Sequence, residues 1–404
     1  MKRLFEKWNS INLVSRIIVG IIVGVGLALT IPEAVSGITI LGTLFILALK
    51  AVAPILVFVL VINAIASHVG GKSTNMKTVL ALYGVATLSA GFVAVVVSFI
   101  FPTTLTLKTE AQDVAPPSGI IEVFEKLLFN IVSNPVSAIM EANYLGILAW
   151  AVILGIALKA ANDSTKGVIA NFSDAITKVV QWIISLAPLG IMGIVFEAVY
   201  TTGLSALSEY LRLIIILVGT MFFVALVVNP LIVFAVARRN PYPLILTSLK
   251  ESGITAFFTR SSAANIPVNM ALAEKLKLDK DTYAVSIPLG ATINMGGAAI
   301  TISILTMATA HTLGIEVDLF TAVILMAMAA LSAAGASGVA GGSLLLIPLA
   351  CSLLGISDDI AMQVVAIGFI IGVIQDSCET ALNSSTDIVF TAAAEYAKER
   401  KQNQ

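Results

Sequence analysis

Apolar stretches long enough to cross a lipid bilayer follow one another along this 404-residue sequence. A membrane-spanning helix needs about 20 mostly apolar residues. Stretches of that kind lie at 13–31, 38–66, 78–101, 143–160, 168–200 and 208–237, and then almost continuously from 282 onward. Hydrophobic residues make up 58% of the chain and charged residues only 12%, whereas a soluble domain has about 25% charged residues. The sequence therefore predicts an all-α polytopic membrane protein.

Lysine and arginine are distributed unevenly between successive connections. Basic residues cluster at 2–16, 72–77, 159–166, 238–239, 275–280 and 398–401. Four alternate connections contain neither lysine nor arginine, at 31–37, 201–209, 311–318 and 355–359, and the connection 102–119 contains only Lys108 beside Glu110 and Asp113. Because short cytoplasmic loops collect basic residues, we expect both termini to lie in the cytoplasm. The net charge of −1 gives no indication of a nucleic-acid partner.

Two segments have flanks that require a turn inside the membrane. Segment 251–274 is bordered by basic residues at both ends, so both ends belong on the cytoplasmic side, and its polar centre at 259–267 contains a proline. Segment 319–354 has acidic flanks without basic residues, and its centre at 335–343 is rich in glycine. We predict two re-entrant hairpins that enter from opposite faces. Close packing between helices is the alternative explanation for the glycines.

The span between these hairpins is itself interrupted. Its apolar run at 283–310 contains the polar, glycine-containing stretch 290–297. Opposed hairpins, each followed by a full span, indicate an inverted repeat with a binding site near the bilayer midplane. Half-helix N-termini there can bind a carboxylate, and unwound carbonyls can ligate a cation, which would suit a zwitterion with Na⁺. A simple kink in which Asn294 bonds a neighbour is the alternative.

The last long apolar stretch carries five polar residues on one face. Glu379, Thr380, Asn383 and Asp387 follow Asp376 at steps of +3, +4, +7 and +11, which place all five on one stripe of an α-helix. Carboxylates at membrane depth are costly unless they face a cavity, an ion or a partner helix. We therefore expect this stripe to hold the cargo of the protein.

Four motifs occur in order along the chain: Arg260-Ser261-Ser262, Asn294-Met295, the glycine-rich second hairpin and the polar stripe. Together they resemble the dicarboxylate/amino acid:cation symporter family, which has the glutamate-transporter fold. Within it the chain is most similar to the bacterial sodium:serine/threonine branch, over essentially all 404 residues. The resemblance implies a homotrimer in the bacterial cytoplasmic membrane, in contact with lipid, with eight transmembrane helices and two opposed re-entrant hairpins.

The resemblance also implies two domains and alternating access by movement of one of them. Residues 1–240 would mainly form a trimerising scaffold, although the third span joins the transport domain. Residues 241–404 would form the core of the transport domain. Its parts are hairpin 1 at about 248–274, the broken helix at about 282–311, hairpin 2 at about 319–354 and the last helix at about 359–396.

Site residues follow from the resemblance as well. Asp376 matches the ligand of the substrate ammonium, while Thr380 and Asn383 match residues beside the substrate backbone. The tips of the hairpins would add substrate contacts from Ser261, Ser262, Val339 and Gly341. One buried Na⁺ site would be formed by Asn294, Asn383 and Asp387. A second would use backbone carbonyls near Thr292, Ala333, Ala334 and Ala336 with the sulfur of Met295.

Three departures from the family pattern bear on substrate and ion number. Glu379 stands where members that carry acidic substrates have an arginine, and a like-charge contact at ~4 Å and effective dielectric ~20 costs on the order of 4 kcal/mol. Ala298 replaces a threonine that contacts the substrate side chain. Both changes favour a small neutral side chain, and a hydroxyl can donate to Glu379, so serine and threonine fit. Gly296 replaces an Asp of a third Na⁺ site, so we expect fewer coupled ions.

The sequence thus favours a secondary active transporter that imports serine and threonine by Na⁺ symport, and not an enzyme. No Gly-x-Ser-x-Gly motif of a serine hydrolase occurs. Na⁺-coupled symport of other small neutral amino acids or of dicarboxylates is the alternative. A passive channel is a less favoured alternative, because one stripe of carboxylates between two re-entrant hairpins is unlike the repeated rings of polar groups in a channel.

Overall fold

The computed structural model describes residues 13–66, 75–107, 129, 132–334 and 341–402. Two of the predicted site residues, Ala336 and Val339, lie outside this part of the chain. Within the described part the regular elements are helical and no β-strand occurs, as predicted. The α-helices are α1 (Leu13–Thr30), α2 (Thr39–Ala66), α3 (Met76–Ile100), α4 (Pro135–Met140), α5 (Tyr144–Leu158), α6 (Asp163–Ser185), α7 (Ala187–Thr202), α8 (Ser205–Phe223), α9 (Asn229–Ala237), α10 (Tyr242–Ser248), α11 (Ile254–Thr259), α12 (Ile266–Lys275), α13 (Lys280–Ile293), α14 (Gly296–Thr312), α15 (Leu319–Ala333), α16 (Ile347–Leu353) and α17 (Asp358–Gln402).

Five helical segments of the described part are long and apolar enough to cross a bilayer. They are Glu33–Asn63, Met76–Ile100, Ser208–Ala237, Lys280–Thr312 and Asp358–Gln402. A sixth candidate is the pair α6 and α7, which bends by 50° just before Pro188, a residue that has no N–H to continue the helical bonding. The shorter apolar helices Ser15–Thr30 and Gly146–Leu158 occupy the two remaining predicted stretches.

The first predicted hairpin is present as two helical arms. A π-helical turn joins α10 to α11 in the first arm, and α12 forms the second arm. The chain reverses after Arg260, which adopts a left-handed conformation with φ 52°. Asn265 Nδ2 donates to Ser252 Oγ at 2.9 Å near the turn, and Lys275 Nζ pairs with Glu251 Oε1 at 2.5 Å further down the arms. The reversal therefore falls inside the polar stretch 259–267.

The second hairpin and the broken span also have helices on both sides of the predicted interruptions. In hairpin 2, α15 and α16 pack against each other on either side of residues 335–340, which are not described. In the broken span, α13 ends at Ile293 and α14 begins at Gly296. Asn294 (φ −91°, ψ 75°) and Met295 (φ −116°, ψ 50°) depart from helical geometry between them.

The long helix α17 lies at the centre of this half of the molecule. It packs against α13 and α14, against both arms of hairpin 1, and against α3, α8 and α9. Most of its residues from Ile360 to Ala394 are buried. On the other side of the fold, α1, α2 and α7 pack against one another. Glycine permits the close approach of α7 to α2, because a Cβ atom on Gly193 would lie 2.6 Å from the backbone nitrogen of Gly42. The polar stripe of α17 is therefore enclosed by protein.

Candidate functional site

All five residues of the predicted stripe are buried on α17. The exposed fraction is 2% for Asp376, 5% for Glu379, 6% for Thr380, 3% for Asn383 and 0% for Asp387. Their side chains make contacts with the turn of hairpin 1, the start of the second arm of hairpin 2, and the break between α13 and α14. The structure thus brings four of the sequence motifs together around one face of α17.

Asp376 is bonded to both hairpins. Its Oδ2 pairs with Arg260 Nε at 2.6 Å, and its Oδ1 accepts a hydrogen bond from the Gly341 N–H at 3.2 Å. The carboxylate that pairs with Arg260 is therefore that of Asp376, one helical turn before Glu379. Removing one partner from a buried ion pair costs about 3–5 kcal/mol, because the remaining charge is left uncompensated. The pairing with Arg260 therefore compensates the buried charge of Asp376.

Glu379 lies one helical turn further along and is held by three donors. Its Oε2 accepts from Thr301 Oγ1 at 2.7 Å, Ser343 Oγ at 2.9 Å and Gln375 Nε2 at 2.5 Å. These donors come from α14, hairpin 2 and α17, and none of them was predicted from the sequence. The i, i+4 spacing of Gln375 and Glu379 was the one signal that could have found a partner. The three donors hold the side chain of Glu379 in place, with its carboxylate oxygens as hydrogen-bond acceptors.

Asn383 joins α17 to the broken span. Its Oδ1 accepts from the Gly297 N–H at 2.7 Å, which satisfies one of the free donors at the start of α14. Its Nδ2 donates to Met295 Sδ at 3.3 Å. Asn294 Nδ2 donates to Thr386 Oγ1 and to Asp387 Oδ1, both at 2.9 Å. The unwound residues are therefore fixed by α17, as an ordered break requires.

Asp387 is fully buried, and only one of its two carboxylate oxygens has a hydrogen-bond partner among the described residues. Its Oδ1 accepts the bond from Asn294, but its Oδ2 has no hydrogen-bond partner in the described part of the chain. A Cβ atom at Gly290 would lie 2.5 Å from Oδ1, so only glycine leaves room beside this carboxylate. Because a buried carboxylate oxygen without a partner is costly, the carboxylate of Asp387 suits a small hard cation such as Na⁺.

The remaining predicted residues are placed as follows. Thr380 Oγ1 donates to the Asp376 carbonyl at 2.8 Å, within α17. Ser261 Oγ accepts from the Ala264 N–H at 3.2 Å, and Ser262 is buried at 2% exposure in the same turn. Thr292 has an exposed side chain in the last turn of α13. Ala333 is buried at the end of α15, with Ala334 directly after it.

Two further positions bear on substrate size and ion number. Ala298 is fully buried at the start of α14, next to Gly297, where a Cβ atom would lie 2.8 Å from the Glu379 carbonyl. Tyr83 on α3 bonds the carbonyl oxygens of Ser286 and Asp387, both at 3.1 Å. The hydroxyl of Tyr83 is therefore already engaged beside the Asp387 site.

The chain is similar to a known protein family and to several named proteins. The model of the sodium:dicarboxylate symporter family matches residues 13–396. The serine/threonine transporter SstT of a Streptococcus agalactiae serotype III strain is 61% identical over 396 residues, which are 98% of this chain and 98% of the relative. The SstT proteins of serotype Ia and serotype V strains of the same species show the same identity and coverage.

The match covers every element that builds the site, from α1 to the buried part of α17. The relatives are named transporters, and the helices described above are those of a multi-pass membrane protein. The resemblance drawn from the four motifs is thereby confirmed at the level of the family. This chain belongs to the sodium:dicarboxylate symporter family, whose members are membrane transporters, and it is not an enzyme.

Proposed function

We propose that this protein imports serine and threonine across the bacterial cytoplasmic membrane by Na⁺ symport. The observation that carries the proposal is the carboxylate of Glu379, buried and held by three donors beside Asp376. An acceptor at this position suits a substrate side chain that donates a hydrogen bond, and it repels a second carboxylate. The names of the SstT relatives support the same substrates.

The zwitterionic part of the substrate would be bound at the hairpins and Asp376. In the structure Arg260 Nε lies 2.6 Å from Asp376 Oδ2. The substrate ammonium either replaces the guanidinium of Arg260 at Asp376 or binds Asp376 together with it. The substrate carboxylate is bound by the hairpin tips, where helix starts offer free N–H groups. This assignment uses Ser261, Ser262, Val339, Gly341, Thr380 and Asn383.

Na⁺ would be bound at two places around the broken span. The first site consists of Asp387 with Asn294 and Asn383, and the unpartnered Oδ2 of Asp387 supports it. The second site is formed by the sulfur of Met295 and carbonyl oxygens near Thr292, Ala333, Ala334 and Ala336. The last four carbonyls of a helix have no partner within it, so the end of α15 is a suitable source of such ligands.

Transport would proceed by movement of one domain against a scaffold in a homotrimer with cytoplasmic termini. We place α1, α2 and α5–α7 in the scaffold, because α2 packs on α5, α6 and α7. We place α3 and α10–α17 in the transport domain, and α8 and α9, which belong to the 1–240 region, pack with α3 on its core around α17. The two groups of helices meet where Lys50 of α2 pairs with Asp359 at 2.6 Å and Asp358 at 3.2 Å.

Uptake into proteoliposomes tests the proposal. Purified protein should concentrate labelled serine above its external level when an inward Na⁺ gradient is imposed, and should not do so when the gradient is absent. Equilibration that ignores the gradient would instead identify a passive channel. Glu379→Arg should abolish most serine uptake, and intact serine transport in that variant would remove Glu379 from the substrate pocket.

The closest alternative substrates are other small neutral amino acids and dicarboxylates. A competition panel against Na⁺-driven serine uptake separates them. We expect unlabelled serine and threonine to compete most strongly and aspartate, glutamate and succinate to compete at least about 100-fold more weakly, since a like-charge contact of a few kcal/mol corresponds to that factor. Equal competition by a dicarboxylate would contradict the role of Glu379.

A further inference from the structure

We infer that Thr301, Ser343 and Gln375 are positioning residues that orient Glu379 for recognition of a hydroxyl side chain. This inference rests on the proposed function, because it takes the carboxylate of Glu379 to be the acceptor for that hydroxyl. The inference adds three residues, from three different elements, to the set that determines specificity.

The three donors form a closed arrangement on one carboxylate oxygen. Gln375 Nε2 lies 2.5 Å from Glu379 Oε2 and 2.7 Å from Thr301 Oγ1, and Thr301 Oγ1 lies 2.7 Å from the same Oε2. Ser343 Oγ completes the set at 2.9 Å. Thr301 and Gln375 have no exposed surface, and Ser343 is 1% exposed. An amide nitrogen is a donor only, so Gln375 Nε2 is the donor in both of its hydrogen bonds.

The consequence is an asymmetric carboxylate. All hydrogen bonds that the described residues make to this carboxylate go to Oε2, and Oε1 receives none of them. A carboxylate has room for about four donors on its two oxygens. The oxygen that remains is the one that a serine or threonine hydroxyl can use. Because the Oε2 side is fixed from three directions, Glu379 is held in one rotamer before the substrate arrives.

Ser343 links this arrangement to hairpin 2. It lies two residues after Gly341, whose N–H bonds Asp376 Oδ1 at 3.2 Å. Both carboxylates of the substrate region are therefore held by the same short segment of hairpin 2. Displacement of that segment would remove a donor from each of them together. The orientation of Glu379 is thus tied to the same segment that holds Asp376.

The test compares serine with alanine, which differ by the hydroxyl alone. In proteoliposomes we would measure the concentrations of L-serine and L-alanine that halve Na⁺-driven uptake of labelled L-threonine. Thr301→Val keeps the side-chain shape but removes the donor, and should weaken serine by about 3–10-fold while alanine changes less than about twofold, in line with part of a charge-assisted bond. Thr301→Ser restores the hydroxyl and should recover most of the preference for serine.

Two controls separate positioning from a structural role. Thr309→Val makes the same substitution on the same buried helix, where, among the described residues, Thr309 Oγ1 bonds the Leu305 carbonyl at 2.7 Å, and it should leave the serine-to-alanine ratio unchanged. Ser343→Ala removes the donor of hairpin 2 and should lower the ratio in the same direction as Thr301→Val. If both variants weaken serine and alanine equally, or leave serine within twofold of the wild type, the inference is wrong.

A fourth variant keeps this inference distinct from the proposed function. Glu379→Gln should abolish the preference for serine over alanine. If it leaves the preference intact, Glu379 does not recognise the hydroxyl, and the main observation in favour of serine and threonine as substrates is removed. If Glu379→Gln lowers the ratio while Thr301→Val and Ser343→Ala do not, the proposed role of Glu379 stands and only the positioning role is contradicted.

Discussion

The carboxylates at the two ends of the polar stripe on α17 differ in the number of donors that contact them. At one end, Asp376 and Glu379 are each held by two or three donors that come partly from the hairpins. At the other end, about three helical turns from Asp376, Asp387 has one side-chain donor and one oxygen without a partner. At the first end Asp376 is paired with Arg260 and Glu379 is bonded by uncharged donors, whereas at the second end no cationic side chain of the described residues is paired with Asp387.

The two ends also differ in the elements that supply their contacts. The partners of Asp376 and Glu379 lie on hairpin 1, hairpin 2 and α14, so opening a hairpin changes their electrostatic environment. The surroundings of Asp387 come from continuous helices and the ordered break, through Gly290, Asn294 and Tyr83. A site beside a single helix break suits a small ion, while a site that shares groups with two hairpins suits a larger substrate. Two predictions test this contrast, and two smaller ones concern contacts outside the stripe.

The largest effect is expected at the ion end. Asp387→Asn should reduce Na⁺-driven serine uptake by more than about 100-fold, since a charge that compensates a buried cation is worth several kcal/mol. The same substitution removes a buried charge with an unpartnered oxygen, so the thermal stability in Na⁺-free buffer should be unchanged or higher. Initial uptake rates and melting temperatures measure the two effects. A variant that keeps the Na⁺ dependence of the wild type would contradict the assignment.

The next effect is expected at the substrate end. Asp376→Asn should weaken serine binding by about 100-fold and should also destabilise the substrate-free protein by about 3–5 kcal/mol, because Arg260 is left buried without its partner. Opposite effects on stability at Asp387 and Asp376 are therefore predicted for the same change of side chain. The double variant with Arg260→Gln should recover stability without recovering transport. Equal stability losses at both positions would remove the contrast between the two ends.

A smaller effect is expected where α17 begins, outside the stripe. Lys50 pairs with Asp358 and Asp359 across the boundary between the proposed domains, and its side chain is 34% exposed. A partly exposed pair contributes about 0–1 kcal/mol, so Lys50→Gln should change the uptake rate by no more than about fivefold. Asp359→Asn should change it in the same direction, and the double variant should add little. Additive effects would show that the pair does not act as a unit.

The smallest effect concerns a carboxylate with only a capping role. Backbone N–H donors, that of Thr321 foremost, hold the pKa of Asp318 below its usual range at the start of α15. A lowered folded-state pKa contributes stability that is present above the ordinary pKa of about 4 and is lost as the pH falls through the folded value. The advantage of wild type over Asp318→Asn in melting temperature should therefore shrink below about pH 4. A difference that is constant from pH 6 to pH 3 would contradict this account.

Much of the fold followed from charge placement and glycine patterns. Basic flanks on both sides of 251–274 required a reversal, and the chain reverses at Arg260 inside the predicted stretch. The polar interruption at 290–297 contains the observed break at Asn294 and Met295. These features were predictable because a bilayer penalises unpaired backbone and misplaced charge so strongly that few arrangements remain.

The partners inside the site were less predictable. Thr301 and Ser343 are ordinary hydroxyl residues in buried segments, and such hydroxyls commonly bond their own backbone. Asp376 and Glu379 lie within one turn of each other, so their spacing did not show which of them Arg260 would contact. Arg260 has a left-handed backbone conformation in the structure. An arginine gives no sequence signal for that conformation, which is more typical of glycine or asparagine. Side-chain direction, rather than spacing, decided these contacts.

The central claim is that the stripe divides between an ion end at Asp387 and a substrate end at Asp376 and Glu379. Equilibrium binding of labelled serine to purified protein, measured over a range of Na⁺ concentrations, tests it most directly, because coupling between two ligands is reciprocal. The account predicts that serine affinity rises steeply with Na⁺ in the wild type and in Glu379→Gln, and that this dependence is largely lost in Asp387→Asn. An unaltered Na⁺ dependence of serine binding in Asp387→Asn would contradict the claim.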